Sequence, residues 1–227
     1  MLLAEDLLLL VTDDASGQLC VPAAAVDAGL GGANLLELAL MNKVSLSGVQ
    51  DAKPGRVVVR DPAPTGDLVL DAAVQVIAAC PGSKPATLIR PLGKNLRHTL
   101  YERLASSEVI RAAQDRILGL FPARRWPAQD TRHEADVCQR LVQALVQQGT
   151  PDERTAALIA LLHALRCEDK IINPRDYGLS RRELSSRGAQ IANGNWATEA
   201  VRTAIQETTG AVAAAVSSIA AVPAGSG

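Results

Sequence analysis

Aromatic residues are scarce in this chain, at 2% of its 227 residues. Proteins that bind single-stranded nucleic acid stack the bases on aromatic side chains, so the composition argues against that class. Net charge is nearly absent as well, at −1, which argues against electrostatic steering onto nucleic acid. Because aromatic residues are so few, the core of the folded chain must consist of Leu, Val, Ile and Ala side chains.

Paired cysteines and long apolar runs are also missing. The four cysteines, Cys20, Cys80, Cys138 and Cys167, are far apart and form no CxxC pair, so zinc-ligand spacing is absent and reduced thiols are expected. Residues 1–6 contain acids where a signal peptide needs Lys or Arg. No window gives the roughly 18 uncharged, strongly apolar residues of a membrane-spanning helix; the nearest is 208–222, which is about 15 residues long and weakly hydrophobic. We therefore expect an intracellular protein that is soluble or peripheral to a membrane.

Apolar residues recur at helical spacing over most of the chain. The pattern predicts helices over 2–11, 33–41, 67–79, 86–93, 96–106, 132–148, 152–167, 180–193 and 196–221. The Gly-rich segment 29–32 is interpreted as a flexible break, and 18–21 as a short strand. The runs 43–47 and 57–61 flank Pro54-Gly55 and predict a β-hairpin.

One segment, Thr155–Leu165, is apolar nearly all round, which is typical of a helix buried on every face. We predict a mainly α fold with this central hydrophobic helix surrounded by amphipathic helices and short β-hairpins. No repeat or linker divides the chain, so we expect a single globular domain over residues 1–221 and a flexible tail over 222–227.

No residue pattern of a catalytic or metal site stands out. Residues 29–34 resemble GxGxxG, but the last position is Asn34 and no strong strand precedes it, so a break before a helix is favoured. His133 is followed four residues later by Val137, which excludes the HExxH zinc motif. His163 is interpreted as a core histidine bonded to a nearby backbone carbonyl. We therefore expect a non-enzymatic protein with no cofactor and no metal.

The charges are unevenly distributed along the chain. Residues 1–50 hold six acids and one base, whereas residues 94–132 hold eight bases and four acids. Within the basic part, Pro122 and Pro127 flank Arg124-Arg125-Trp126, and we interpret this run as the tip of an extended hairpin. Trp and Arg suit a membrane interface, where indole lies at headgroup depth and guanidinium pairs with phosphate. The alternative is a solvated hairpin whose Trp126 packs back on its own domain.

Four stretches, taken together, resemble the Golgi phosphoprotein 3 family in their order and spacing. They are Gly29-Leu30-x-Gly32-x-x-Leu35-Leu36-Glu37-Leu38-Ala39-Leu40, Asp61-x-Ala63-Pro64-Thr65-Gly66-Asp67-x-x-Leu70-Asp71, Leu100-x-Glu102-Arg103-Leu104-Ala105 and Ala157-Leu158-Ile159-Ala160-Leu161-Leu162-His163-Ala164. The resemblance runs from about residue 3 to about residue 215. The excess of Arg over Lys, 18 to 5, suggests a bacterial member from a GC-rich genome.

The resemblance implies a function as well as a fold. Members of this family are peripheral membrane proteins that bind phosphatidylinositol 4-phosphate and act as adaptors for the cytosolic tails of glycosyltransferases. They use a protruding apolar hairpin for membrane contact and oligomerisation. The corresponding residues here are Leu118, Leu120, Phe121, Arg124, Arg125 and Trp126. A bacterium has no Golgi, so the glycosyltransferase role does not transfer directly.

The headgroup site of the family is substituted in this chain. The family pattern has one Trp and three Arg, and the matching positions here are Pro22, Gly31, His98 and Tyr101. A phosphomonoester binds best through bidentate Arg, so the loss weakens the expected affinity. Basic residues that could compensate in part are Arg97, Arg103 and Arg111.

Two hypotheses follow from these substitutions. In the first, the chain is a cytoplasmic, peripheral membrane adaptor that binds phosphatidylinositol 4-phosphate or another anionic lipid through a basic face and the hairpin. In the second, it is a soluble protein–protein interaction module that has lost the phosphoinositide pocket. The second predicts that the acidic early region binds a basic segment of a client protein and that the hairpin closes a homo-oligomer.

Overall fold

The structure is a computed structural model that describes residues 1–117 and 121–193; for residues 114–117 and 121–124 it describes the backbone alone. Its α-helices are α1 Leu3–Leu10, α2 Ala23–Leu40, α3 Leu68–Ala79, α4 Pro85–Gly93, α5 Leu96–Ser106, α6 Arg132–Leu145, α7 Glu153–Leu165, α8 Glu168–Ile171 and α9 Arg181–Ala192. Its strands are β1 Val44–Leu46, β2 Val57–Val59, β3 Ala113–Ile117 and β4 Phe121–Arg125. A 3-10 helix, Pro174–Tyr177, precedes α9. The predicted mainly α fold is confirmed. The predicted helix over 196–221 and the tail over 222–227 lie outside the described residues.

Two helices share the centre of the core. The predicted buried helix is α7, in which Ile159, Leu161 and Leu162 are fully buried. The second is α2, which contacts α1, α3, α4, α5 and α7. With 18 residues and a mean hydropathy of 1.2, α2 has the length and composition of a membrane-spanning helix. Because every residue from Ala28 to Leu38 is buried in the protein, we interpret α2 as a core helix.

The interpretation of segment 29–32 as a flexible break is wrong, since α2 runs through it without interruption. Its glycines serve close packing instead. A Cβ on Gly31 would lie 2.1 Å from the carbonyl oxygen of Ile89, and a Cβ on Gly93 would lie 2.1 Å from that of Asp27. These two glycines therefore let α2 and α4 approach at backbone distance.

Buried carboxylates fix α1 to the rest of the core. Glu5 and Asp6 are each only 3% exposed. The Glu5 carboxylate pairs with Arg103 at 2.9 Å, and Asp6 pairs with His133 at 2.7 Å and with Arg154 at 3.0 Å. Two arginines, from α5 and α7, and a histidine from α6 thus provide partners for two acids that would otherwise be very costly to bury.

The first hairpin and the helix after it follow the prediction. Strands β1 and β2 pair antiparallel, with Val44 opposite Val59. The next helix, α3, begins after Asp67, whose Oδ1 accepts hydrogen bonds from the backbone N–H groups of Val69 and Leu70 and so caps the helix. The strand predicted over 18–21 is wrong: in this segment Leu19 forms an isolated bridge with Thr12 instead of a strand.

The second hairpin corrects the predicted position of the tip. Strands β3 and β4 pair antiparallel from Ala113 opposite Arg125 to Ile117 opposite Phe121, so Ile117 and Phe121 form the far end of the described ladder. Arg124, Arg125 and Trp126 therefore lie at or beyond the base of the hairpin, and their prediction as the tip is wrong. The physical reason is that Pro122 lies inside strand β4, opposite Arg116. In a two-stranded ribbon every strand has an edge where no N–H donor is required, so a proline can occur within the strand and does not have to mark the turn.

Trp126 packs back on its own domain, as the alternative interpretation proposed. Its side chain is 8% exposed and stacks on Tyr101, with ring centroids 4.9 Å apart and an interplanar angle of 8°. Of the other hairpin residues, Leu118 and Leu120 lie outside the described part of the chain, as do the side chains of Phe121 and Arg124.

Candidate functional site

A cleft of about 580 Å³ lies where α2 begins, beside the start of α5 and the base of the second hairpin. It is lined by Gly17, Gln18, Leu19, Ala23, Asp27, Asn95, Arg97, His98, Tyr101 and Trp126. Three regions of the chain that are distant in sequence, residues 17–27, residues 95–101 and Trp126, therefore meet at one surface depression. We take this cleft as the candidate functional site because it contains two of the four positions expected from the family headgroup pattern.

One wall of the cleft is a turn fastened to the hairpin base. Gly17 has a φ of +64°, which favours glycine, and a Cβ there would lie 2.3 Å from the backbone nitrogen of Trp126. The backbone N–H of Trp126 donates to the Gly17 carbonyl at 3.3 Å, and that of Ala128 donates to the Asp14 carbonyl at 3.0 Å. The wall is therefore built from backbone contacts that leave no room for a side chain at position 17.

The aromatic pair forms the back of the cleft. Tyr101 is 6% exposed, and its hydroxyl shares a hydrogen bond with the Thr12 hydroxyl at 2.8 Å. Burial raises the pKa of the Tyr101 phenol above its usual value, so the group stays neutral at physiological pH. This position offers a ligand an aromatic edge instead of the cation that the family pattern has here.

The charged groups of the cleft are already paired. Arg97 Nε lies 3.1 Å from Asp27 Oδ1, and His98 Nε2 lies 3.1 Å from Glu102 Oε1 one helical turn away. Burial raises the pKa of Asp27, and the nearby Arg97 opposes that rise. A phosphate entering the cleft could reach only the terminal nitrogens of Arg97, and it would lie beside the Asp27 carboxylate, which repels it.

The structure brings together part of the predicted headgroup set. His98 and Tyr101 line the cleft, and Pro22 immediately precedes Ala23, which also lines it. Gly31 does not reach the cleft, because its Cα faces the backbone of α4. At this position the chain has lost both the arginine of the family pattern and the space for one.

The three basic residues expected to compensate do not supply a spare charge to the cleft. Arg97 lines it but is paired with Asp27. Arg103 is directed to two other acids, Glu5 at 2.9 Å and Asp67 at 2.6 Å. Arg111 is exposed beside the hairpin base and does not line the cleft. Partial compensation by these residues therefore finds no support in the geometry.

Cations are distributed along α4, and the last of them, Lys94, directly precedes Asn95 in the wall of the cleft. The exposed cations are Lys84, Arg90 and Lys94, and Arg56 joins them at the start of the helix, where its guanidinium donates to the Gly82 carbonyl at 3.2 Å. We call these four residues the α4 basic face. The sequence has no acid between Asp71 and Glu102, and within the described part of the chain none of the four forms an ion pair.

The sequence profile of the Golgi phosphoprotein 3 (GPP34) family matches residues 3–208. The chain belongs to the Golgi phosphoprotein 3 family. The match to the Golgi phosphoprotein 3 family includes the cleft and the α4 basic face. No curated protein sequence matches the chain.

Two features of this Golgi phosphoprotein 3 member were missed by sequence reasoning. Asp27 as the partner of Arg97 was not foreseen, because the two residues are 70 positions apart and no local pattern joins them. The α4 basic face was not foreseen either, because the charge count over residues 94–132 included only one of its four cations, Lys94. The absence of acids between Asp71 and Glu102 is the signal in the sequence that could have found it.

The environment of His163 also differs from the prediction. Its Nδ1 is bonded to the carboxylate of Glu168 at 2.6 Å, not to a backbone carbonyl. Glu168 is 4% exposed and lies at the first position of α8, directly after the turn that ends α7. The buried carboxylate therefore finds its partner within five residues of the same chain segment.

Proposed function

We propose that this chain is a non-enzymatic adaptor that lies peripherally on anionic membrane surfaces through the α4 basic face and does not select phosphatidylinositol 4-phosphate. The observation that carries the proposal is a contrast in charge. The α4 basic face presents four cations without ion-pair partners among the described residues, whereas Arg97 in the cleft is paired with Asp27.

The size of the electrostatic attraction is sufficient for reversible membrane binding. A Lys or Arg near an anionic bilayer contributes about 1 kcal/mol, so four of them contribute about 4 kcal/mol. This corresponds to roughly a thousandfold change in the partition constant. Because the screening length is about 8 Å at physiological ionic strength, binding should weaken as salt rises.

The cleft gives little basis for headgroup selection. A charge-assisted hydrogen bond to a phosphate contributes about 1.5–3 kcal/mol. Arg97 can form one through its terminal nitrogens, but the Asp27 carboxylate beside it already balances its charge and repels a phosphate. Tyr101 can offer only its hydroxyl, which is already bonded to Thr12. A phosphomonoester would therefore gain little over any other anionic group at this surface.

The location and the partners remain part of the proposal. We expect a cytoplasmic protein in contact with anionic lipid, and an oligomer closed by the second hairpin. Binding of a basic client segment to the early acidic region also stays a prediction. Of the six acids in residues 1–50, Glu5, Asp6, Asp27 and Glu37 are engaged with internal cations, which leaves mainly Asp13 and Asp14 to meet such a segment.

Vesicle co-sedimentation tests the proposal. The three vesicle types are neutral phosphatidylcholine, phosphatidylcholine with phosphatidylserine, and phosphatidylcholine with phosphatidylinositol 4-phosphate at the same total negative charge. We expect equal binding to the two anionic types and none to the neutral one. The triple variant Lys84→Glu, Arg90→Glu, Lys94→Glu should bind at least about a hundredfold more weakly, given about 1 kcal/mol per lost cation and further repulsion from each acid.

A matched triple variant controls for net charge. Arg140→Glu, Arg175→Glu and Arg182→Glu reverse three exposed cations elsewhere on the surface and should retain vesicle binding. A clear preference for the phosphoinositide at equal charge would contradict the proposal and restore headgroup recognition. Absence of binding to every vesicle would favour the soluble interaction module instead.

A further inference from the structure

Helix α3 exposes an unusually apolar outer side. Its sequence, LVLDAAVQVIAA, contains one charged residue, yet only Leu70, Ala73, Val74 and Ile77 are buried. Leu68 is 87% exposed, and Ala72 is also exposed. Contiguous apolar surface of this kind typically marks a site of interaction.

The same side of α3 forms one wall of a groove of about 250 Å³. The opposite wall is the end of α4 and the start of α5, where Pro91 and Leu96 line the groove. Lys94 stands at its edge, exposed and, as far as the described residues extend, without an ion-pair partner. Apart from Thr99 and Asn34, the groove is thus apolar, and Lys94 makes it positive at one side.

A single polar group lies at the floor of this groove. Asn34 projects from the core helix α2 and is 3% exposed. Its side-chain oxygen is fully buried and has no hydrogen-bond partner among the residues that the structure describes. Buried polar groups in proteins are nearly always paired, so an unpaired carboxamide at the floor of an open groove points to a ligand that completes it.

The chemistry of these groups distinguishes between classes of ligand. A hydrocarbon chain would fill the groove but leave the Asn34 carboxamide without a partner, at a free-energy cost. A peptide group has both an N–H and a carbonyl, so it can satisfy a carboxamide in either orientation of the amide. Lys94 favours a carboxylate beside the apolar contact and disfavours a cationic segment.

We propose that this groove binds a short peptide segment of a partner protein. The segment places aliphatic side chains between α3 and α4, pairs its backbone with the Asn34 carboxamide and sets a carboxylate against Lys94. The proposal deepens the adaptor role by naming a site and a class of partner. Its test uses no membrane, so its failure is distinguishable from failure of the membrane proposal.

Nuclear magnetic resonance on the full chain labelled with nitrogen-15 observes the Asn34 side-chain amide directly. The probes are three N-acetylated, C-amidated tetrapeptides with the sequences Asp-Leu-Leu-Asp, Lys-Leu-Leu-Lys and Asp-Ser-Ser-Asp. We expect the first to shift the Asn34 amide signals saturably, and the other two to bind at least about tenfold more weakly, a difference of about 1.4 kcal/mol. The signals are assigned by their loss in Asn34→Leu.

Three variants separate the contributions to binding. Lys94→Glu should weaken the acidic peptide at least about tenfold, whereas the matched reversal Arg140→Glu, at an exposed cation outside the groove, should not. Asn34→Leu should fold at least as stably as the wild type, because it removes an unpaired buried amide, and it should lose peptide affinity, read from the backbone amide signals of Lys94 and Leu96.

Three results would overturn the proposal. The first is the absence of any saturable shift with the acidic peptide. The second is undiminished binding by Asn34→Leu. The third is a shift of the Asn34 signals with protein concentration alone, which would assign the groove to a second copy of the chain.

Discussion

The close approach of α2 and α4 makes Gly31→Ala a sharp test of the fold. By helix propensity alone, alanine in the interior of α2 should stabilise the protein by about 1 kcal/mol. The added Cβ, however, would lie 2.1 Å from the Ile89 carbonyl oxygen and 3.0 Å from the Gly93 nitrogen. A normal carbon–oxygen contact is about 3.3 Å or longer, so α4 must retreat by more than 1 Å or the helices must bend.

The net effect follows from the two opposing contributions. Overpacking of a well-packed interior costs about 1–3 kcal/mol, and the upper end applies here because both contacts are with backbone atoms. After subtraction of the gain in propensity, we expect Gly31→Ala to lower the free energy of unfolding by about 2 kcal/mol. At an m value of about 2 kcal/mol per molar, the urea midpoint would fall by about 1 M.

Urea unfolding followed by circular dichroism measures this difference, and Gly29→Ala is the matched control on the same helix. A Cβ on Gly29 meets only side-chain methyl groups, of Leu165 at 3.1 Å and Leu7 at 3.2 Å, which can move aside. The control should therefore change stability by less than about 1 kcal/mol. If Gly31→Ala were as stable as the wild type, or less perturbed than Gly29→Ala, the account of the α2–α4 contact would be refuted. If that account holds, restoring the family arginine at position 31 alone cannot rebuild a headgroup site.

Three further perturbations have defined outcomes. Trp126→Ala should lower the free energy of unfolding by about 3–5 kcal/mol in urea titrations, because the buried indole is removed. Trp126→Phe should leave vesicle binding unchanged; a loss of vesicle binding at unchanged stability would mean that the Trp126 side chain inserts into lipid. Arg154→Met removes the guanidinium that pairs with the Asp6 and Glu37 carboxylates. Because the Arg154 side chain is 35% exposed, we expect the free energy of unfolding to fall by about 2 kcal/mol, and no change would contradict the pairing. Burial and the neighbouring Asp14 raise the pKa of the Glu134 carboxyl from 4.5 to about 7, so the folded state favours its protonated form. The free energy of unfolding is therefore greatest below about pH 4.5 and falls as the pH rises through about 7. After allowance for solvent screening we expect a decrease of about 1–2 kcal/mol between about pH 5 and pH 8, which Glu134→Gln should abolish in unfolding measurements at those two pH values.

Elements with local signals could be predicted from the sequence. The cap at Asp67, the β1–β2 hairpin and the apolar run of α7 each depend on residues within one segment, so their patterns are complete in the sequence. The glycines at 29–32 were misinterpreted because a break and a close helix contact require the same absence of a side chain. Only the position of Ile89 on α4 distinguishes the two cases.

The residues of the candidate cleft could be named in part from the sequence, but their pairing could not. His98 and Tyr101, two of the family positions, line the cleft, and whether they bind a headgroup stays a prediction. The sequence could not show that Asp27 holds Arg97, because that ion pair joins two helices whose packing is a tertiary property. Trp126 was misplaced for a similar reason: Pro122 was interpreted as a sign of the turn, whereas the strand register places the turn earlier.

The buried carboxylates of α1 also constrain the order of events during synthesis. Asp6 meets its partner Arg154 only after a further 148 residues have been added. At typical rates of elongation this takes roughly 7–30 s, during which the set of partners for the two buried acids of α1 is incomplete. Helix α1 is therefore made well before the core that it enters is finished. A nascent chain halted before residue 154 should be a stronger client for chaperones than the full-length protein.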